Sequence, residues 1–469
     1  FIKKKTGLKI LPRLTDTDSI KGVLLQYQKS LKAEFDDIIQ KEASSLKLVA
    51  EDGGEEISEK ELKKLAEDLP VVRIVDTLLN HAIIQDASDI HIEPQDGQLL
   101  VRYRVDGILR DAMVLPKTAG PGIVARIKVL SNLKLDEKRL PQDGRFKINL
   151  SDQNVSFRVS TLPTYFGEKT VMRLLKESVS GFTLEGLGFH GEGLERVHSS
   201  TRQTVGMILA TGPTGSGKTT TLYTILDIVN TPDVNISTIE DPIEYQMKRI
   251  NQTQVKPEIG LTFANGLRSL VRQDPDIIMV GEIRDNETAS LAINAALTGH
   301  LVLSTLHTNS AAGAIPRLLE MGAEPFLLTS TLDIVLAQRL VRRLCNQKEK
   351  YVLSDLELRN LGKLVDLERM LKFLREEKIV GPKDGWDKIP FYKPMKSAEC
   401  EEGYKGRIGI HEVLKVTPTI KELILKGATS DEVEAQAKKE GMMTMLEDGI
   451  FFAAQGVTTI EEVLRVVSE

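Results

Sequence analysis

Gly212-Pro213-Thr214-Gly215-Ser216-Gly217-Lys218-Thr219 has the residue types and spacing of a phosphate-binding loop. Glycines let the backbone curl around an anion with its N–H groups turned inward. A helix N-terminus adds partial positive charge at the same point. Lys218 is placed to reach the β- and γ-phosphates of a nucleoside triphosphate, the Thr219 hydroxyl to ligate Mg²⁺, and Thr220 to continue the binding turn. The apolar run Met207–Thr211 precedes the motif and a helical stretch follows from Thr219. That strand–loop–helix setting predicts binding of ATP with Mg²⁺, against the alternative of a purely structural glycine-rich turn.

Hydrolysis needs a carboxylate that orients or deprotonates water and cations that stabilise the developing charge. Asp276-Ile277-Ile278-Met279-Val280-Gly281-Glu282 reads as an apolar strand ending in an acid. In an open parallel sheet ligands bind at the carboxyl ends of strands, which makes Glu282 the candidate for water activation. A second run ends in Glu240-Asp241-Pro242-Ile243-Glu244, three acids that need a cation or its water shell to coexist. Glu240 is nearest the strand end, and which acid acts stays open. His300 and His307 flank the next strand and are candidate γ-phosphate sensors.

These groups need a scaffold. Apolar runs at Met207–Thr211, Val234–Ile239, Ile277–Val280 and His300–Thr305 alternate with helical stretches, predicting a parallel sheet buried on both faces. Residues 181–342 form this core. Before it, residues 69–180 read as an α+β unit: an amphipathic helix (Val71, Val72, Ile74, Val75, Leu78, Leu79, Ala82, Ile83), then short strands such as Leu99–Val105 and Ser156–Thr161. Residues 1–30 read as the remnant of a small domain with a capped helix near Asp18–Gln28, and 31–68 as a partly helical, charged linker, exposed and mobile, with a solvated surface helix as the alternative. Residues 343–469 are expected to carry a surface loop, Gly381–Pro394, and a helical module.

A chain of 469 residues is too long for one core, so two to four domains are expected. The net charge of −5 gives no global field for nucleic acid. No stretch approaches the ~18 consecutive apolar residues that would suggest a membrane span, and Phe1-Ile2-Lys3-Lys4-Lys5 lacks a following apolar signal segment. The first residue is not Met, which suggests a start partway into a longer protein. Two cysteines, Cys345 and Cys400, suggest a reducing compartment, the cytoplasm, and no disulfide framework.

Taken together, the motifs resemble the secretion ATPases of type II secretion and type IV pilus extension. The phosphate loop, the acidic box Ile239–Glu244, Val280-Gly281-Glu282-Ile283-Arg284-Asp285 and Gly299–His307 occur in that family's order. Further matches are Ala87-Ser88-Asp89-Ile90-His91-Ile92-Glu93-Pro94, Arg104-Val105-Asp106-Gly107, Pro141-Gln142-Asp143-Gly144-Arg145, Gly403-Tyr404-Lys405-Gly406-Arg407 and Gly409-Ile410-His411-Glu412. The resemblance implies a RecA-like P-loop NTPase domain in the α/β class, preceded by a PAS-like α+β domain and followed by a C-terminal helical module. It also implies a homohexamer that hydrolyses ATP, sits in the cytoplasm and docks on an inner-membrane platform protein. Arg145, Arg158 and Arg173 match arginines that reach the nucleotide in that family.

One feature departs from it. Members commonly hold zinc with two Cys-x-x-Cys pairs, whereas this chain has Cys345-Asn346-Gln347-Lys348 and Ser397-Ala398-Glu399-Cys400. Two thiolates do not fill a tetrahedral structural site, so zinc is expected to be absent or weak. Two other function classes stay open: a RecA-type nucleic-acid motor and a nucleotide-binding regulator without turnover. Extension and secretion motors are not separated by these residues.

Overall fold

The computed structural model describes residues 59–150, 153–176, 182–397, 400 and 402–468. The remnant domain at 1–30 and most of the linker at 31–68 lie outside the described residues. Two compact units divide between Leu175 and Lys176.

The first unit is a six-stranded antiparallel sheet built from β1 (Asp89–Pro94), β2 (Gln98–Val105), β3 (Ile108–Pro116), β4 (Gln142–Leu150), β5 (Gln153–Thr164) and β6 (Gly167–Lys176). Their order across the sheet is β3-β2-β1-β6-β5-β4. Side chains alternate between faces along a strand. Ile90, Ile92, Val101, Tyr103, Phe157, Val159 and Met172 therefore turn to one side and bury against apolar residues of the helices Leu69–Ile84 and Gly120–Leu130. The opposite face is polar. There Asp89 pairs in register with Arg104 on β2 and with Arg173 on β6, while Arg145 on β4 pairs with Arg158 on β5.

Part of the expected linker is ordered against this unit. Residues Glu59–Ala66 form a helix, and Leu62 and Ala66, four residues apart on one helix face, bury against Ala125 and Leu135. Local charge density masked that apolar stripe, and the burial of Leu62 and Ala66 corrects the reading of this stretch as wholly exposed.

The second unit is organised on a seven-stranded sheet. Its strands are β7 (Gly206–Thr211), β8 (Ile236–Glu240), β9 (Ile250–Gln254), β10 (Ile277–Val280), β11 (Leu301–Leu306) and β12 (Leu332–Leu344), then, beyond the two-stranded ribbon β13 (Lys348–Tyr351) and β14 (Phe391–Pro394), β15 (Tyr404–Lys415). The order is β15-β12-β7-β11-β10-β8-β9. All neighbours run parallel except β12 and β15. Every residue of β7 is buried. Met207 and Leu209 face one core and Ile208 and Ala210 the other, so helices cover both faces. That sandwiching explains the unbroken apolar runs.

Two expectations are corrected by this topology. The region after 343 is not only loop and helix, because Tyr404–Lys415 returns to the main sheet as its edge strand. Its Ile408, Ile410, Val413 and Leu414 bury there, a long-range pairing that local pattern does not reveal. Cys345 and Cys400 are not free thiols but a disulfide, with Cα atoms 6.7 Å apart. Backbone hydrogen bonds Cys345 N–H to Gly403 O and Cys400 N–H to Ser397 O set the two residues face to face. A count of two cysteines carries no information about their adjacency. Among the described residues, no helix is long and apolar enough to cross a membrane.

Candidate active site

Parallel register brings the polar strand ends together. Thr211 at the end of β7 aligns with Leu306 of β11, and Ser304 of β11 aligns with Val280 of β10. The phosphate loop, His307 and Glu282 follow those strands directly, so all three leave the same edge of the sheet. Side chains tie these exits to one another. Thr305 Oγ1 donates to Gly281 O (2.8 Å), and the Thr308 amide donates to Thr211 Oγ1 (2.9 Å).

The loop runs from Thr211 into the helix Lys218–Val229. Gly212 has φ +144°, and a Cβ there would lie 2.6 Å from Gln338 O, so no other residue fits. Ser216 Oγ is buried without a partner, and the Lys218 ammonium donates to Gly212 O (2.8 Å) and Pro213 O (3.0 Å). Burial pushes the Lys218 amine down to about 8; the Glu282 charge opposes the shift and that of Arg339 adds to it. A bend that only glycine fits at position 212, an unsatisfied hydroxyl and a cation folded onto loop carbonyls fit a phosphate chain, which would replace those carbonyls as the partner of Lys218.

Glu282 stands beside this cation. Its Oε1 takes Arg284 Nη2 at 2.5 Å and its Oε2 lies 3.4 Å from His307 Nε2. Glu282 is largely covered and His307 half-exposed, so a carboxylate held on one side by a guanidinium faces an imidazole that solvent can reach.

Two of the predicted residues have other surroundings. His300 precedes β11, whereas His307 follows it, and six strand residues span about 20 Å. His300 therefore sits at the opposite sheet edge, with Nδ1 2.8 Å from Ala295 O, and cannot sense a phosphate in its own chain's loop. Bracketing a strand means occupying both of its ends. Glu240 is buried and accepts hydrogen bonds from Tyr223, Thr238 (2.5 Å) and Gln252 (3.1 Å). Burial raises its pKa. These bonds make Glu240 an anchor of β8 to the helix after the phosphate loop. Arg173 holds Asp89 at 3.0 Å, and it, Arg145 and Arg158 are exposed on the first unit's polar face. Thr219 is exposed at the start of its helix, as the metal-ligand reading needs.

Two residues near the loop escaped the sequence reading. Gln338 donates to Ser216 O (2.7 Å) and Arg339 to Asn309 Oδ1 (3.2 Å). Both come from β12, the parallel neighbour of β7, and no motif spacing links positions 122 residues apart.

Residues 64–465 match the model of a family described as type II/IV secretion system protein. The chain belongs to that family. It is 46% identical over 457 residues to type II secretion system protein E of Xanthomonas campestris, covering 96% of this chain and 78% of the relative. It is also 46% identical over 453 residues to the type IV pilus assembly ATPase PilB of Thermus thermophilus, covering 93% of this chain but 49% of that relative. This secretion-family chain therefore spans about half of that longer protein. A crystal structure of the pilus retraction motor PilT with bound ADP superposes with a TM-score of 0.56 at 26% identity, over 84% of this chain and 96% of that one. Within the family, the parallel sheet of the second unit is a RecA-like ATPase core, and the helices after β15 are its C-terminal region.

Proposed function

We propose that this chain is an ATP-hydrolysing motor subunit that powers type II protein secretion or type IV pilus assembly. The observation that carries the reading is the meeting of Lys218, Glu282 and His307 at one sheet edge, beside a loop shaped for phosphates. Lys218 and the loop amides hold the phosphate chain, Glu282 orients the attacking water, and His307 steadies Glu282. Mg²⁺ fits on the Thr219 hydroxyl, where it would neutralise charge between the outer phosphates. Phosphate release from MgATP tests the reading: wild type turns over, and Lys218→Ala loses nucleotide binding. Robust binding by Lys218→Ala would sink it.

The motor works as a homohexamer in the cytoplasm, held at the inner membrane through a platform protein. Its first unit is the PAS-like domain, and Arg145, Arg158 and Arg173 deliver positive charge to nucleotide when that unit closes. Their exposure supports this role, and Asp89 keeps the Arg173 guanidinium placed. Each Arg→Ala variant binds ATP and hydrolyses it poorly. Mixing it with Lys218→Ala subunits restores some activity if one chain's arginine serves its neighbour's loop; hexamers of mixed subunits that stay inactive rule that sharing out.

A further inference from the structure

The phosphate loop has a prop outside its own motif. Ala337 of β12 lies in register with Thr211 of β7, so Gln338 runs alongside Gly212, where the loop begins. The contact is close on both sides. Gln338 O would meet a Cβ at Gly212 at 2.6 Å, and Gln338 Nε2 would meet one at Gly217 at 3.0 Å. Gln338 itself is 2% exposed. Its Nε2 donates to Ser216 O at 2.7 Å, while its Oε1 is buried with no partner. A fully buried amide that satisfies one end and leaves the other unsatisfied is costly as packing alone.

The consequence for the loop follows from peptide geometry. In a planar trans peptide the C=O and the following N–H point in opposite directions. Holding Ser216 O toward β12 therefore aims the Gly217 N–H away from β12. Gly217 has φ +92°, a region where glycine rotates with little steric resistance, so the peptide has no intrinsic reason to keep that orientation. We propose that Gln338 is a positioning residue of the nucleotide site, whose side-chain amide pre-aims the Gly217 N–H at the phosphates. This rests on the nucleotide reading above and adds a residue that the phosphate motif does not contain. A neutral donor suits this position, because a carboxylate would present an acceptor to a carbonyl and set a negative charge beside the phosphates.

The test uses the full chain with Gln338→Met, which keeps length and loses the donor, and Gln338→Glu, which reverses it. A fluorescent ATP analogue is titrated, kcat and KM are measured, and thermal unfolding is followed without nucleotide. Gln338→Met should unfold close to wild type, weaken ATP binding about tenfold and raise KM with little change in kcat. Gln338→Glu should bind more weakly still. Wild-type affinity in either folded variant overturns the proposal. So does a loss of affinity in Gln338→Met that a matching loss of thermal stability accounts for. Lys218→Ala is the reference: if it also binds normally, the nucleotide reading itself has failed, whereas weak binding there with normal binding in both Gln338 variants removes only the role of Gln338.

Discussion

His307 Nε2 lies 3.4 Å from Glu282 Oε2, although the two residues leave different strands of the sheet. Adjacent parallel strands β10 and β11 deliver them to the same edge, and Arg284 fixes the other carboxylate oxygen at 2.5 Å. A carboxylate clamped in this way can orient water without swinging. Its neighbour carries the adjustable part of the site, because the imidazole is half-exposed.

Substitution separates these parts. Glu282→Gln should bind ATP normally and lose about 10²-fold in turnover, the scale of a missing water-orienting carboxylate. His307→Ala should lose about tenfold, the worth of one hydrogen bond to a charged group. His300→Ala should stay within about twofold of wild type, since its ring bonds Ala295 O at the far edge. Phosphate-release rates under saturating MgATP decide all three, and a large loss in His300→Ala would contradict its placement.

Binding of ATP should take up a proton near pH 8. Burial holds the free Lys218 amine down at about 8, and a phosphate partner stabilises its charged form. The empty site is therefore partly neutral at pH 8 and the filled site charged. Affinity should fall as pH rises through 8 and level off below about 7. Calorimetry at pH 8 in buffers of different ionisation enthalpy should reveal uptake that is nearly absent at pH 6.5.

Glu412 is buried and accepts the Ala311 amide (3.0 Å) and the Met445 amide (3.3 Å), joining the loop after His307 to the helix Met445–Ala454. Burial pushes its carboxyl up to about 7 from an ordinary 4.5. Between those values the folded chain holds a proton that the unfolded chain has released, so this group's contribution to stability falls as pH rises from 4.5 to 7 and is flat above. His411 shifts the other way, pushed down to about 4 by burial, so total stability mixes the two. Subtracting the profile of Glu412→Gln isolates the carboxyl. The difference should drop by about 3 kcal/mol across that window, and a flat difference in denaturant unfolding would refute it.

Reduction should loosen the C-terminal region. The Cys345–Cys400 bond closes a loop of sequence separation 55, which the chain-entropy view values at about 4 kcal/mol. Denatured, unreduced protein should show no reactive thiol, and reduced protein two. Unfolding of Cys345→Ser with Cys400→Ser should match that of reduced wild type; two reactive thiols before reduction would mean that the bond does not form.

Contiguous chemistry is legible in the chain itself. The phosphate loop occupies adjacent positions, so its glycines, Lys218 and Thr219 are recognisable together because local backbone geometry alone makes the turn. Glu282 was readable because an acid ending an apolar run must emerge at a strand's carboxyl end. The helix Leu69–Ile84 was readable from its 3.6-residue apolar period. Strand order is another matter. That β12 lies beside β7, which puts Gln338 against Ser216, and that β15 pairs antiparallel with β12, which puts Glu412 under Ala311, are set by which faces bury together over more than a hundred residues. The same holds for Cys345 meeting Cys400, for Glu240 turning into the core, and for His300 and His307 parting to opposite edges. Local sequence specifies what each strand end carries; the partners it meets follow from burial of apolar faces, which is non-directional and is settled only when the whole sheet closes.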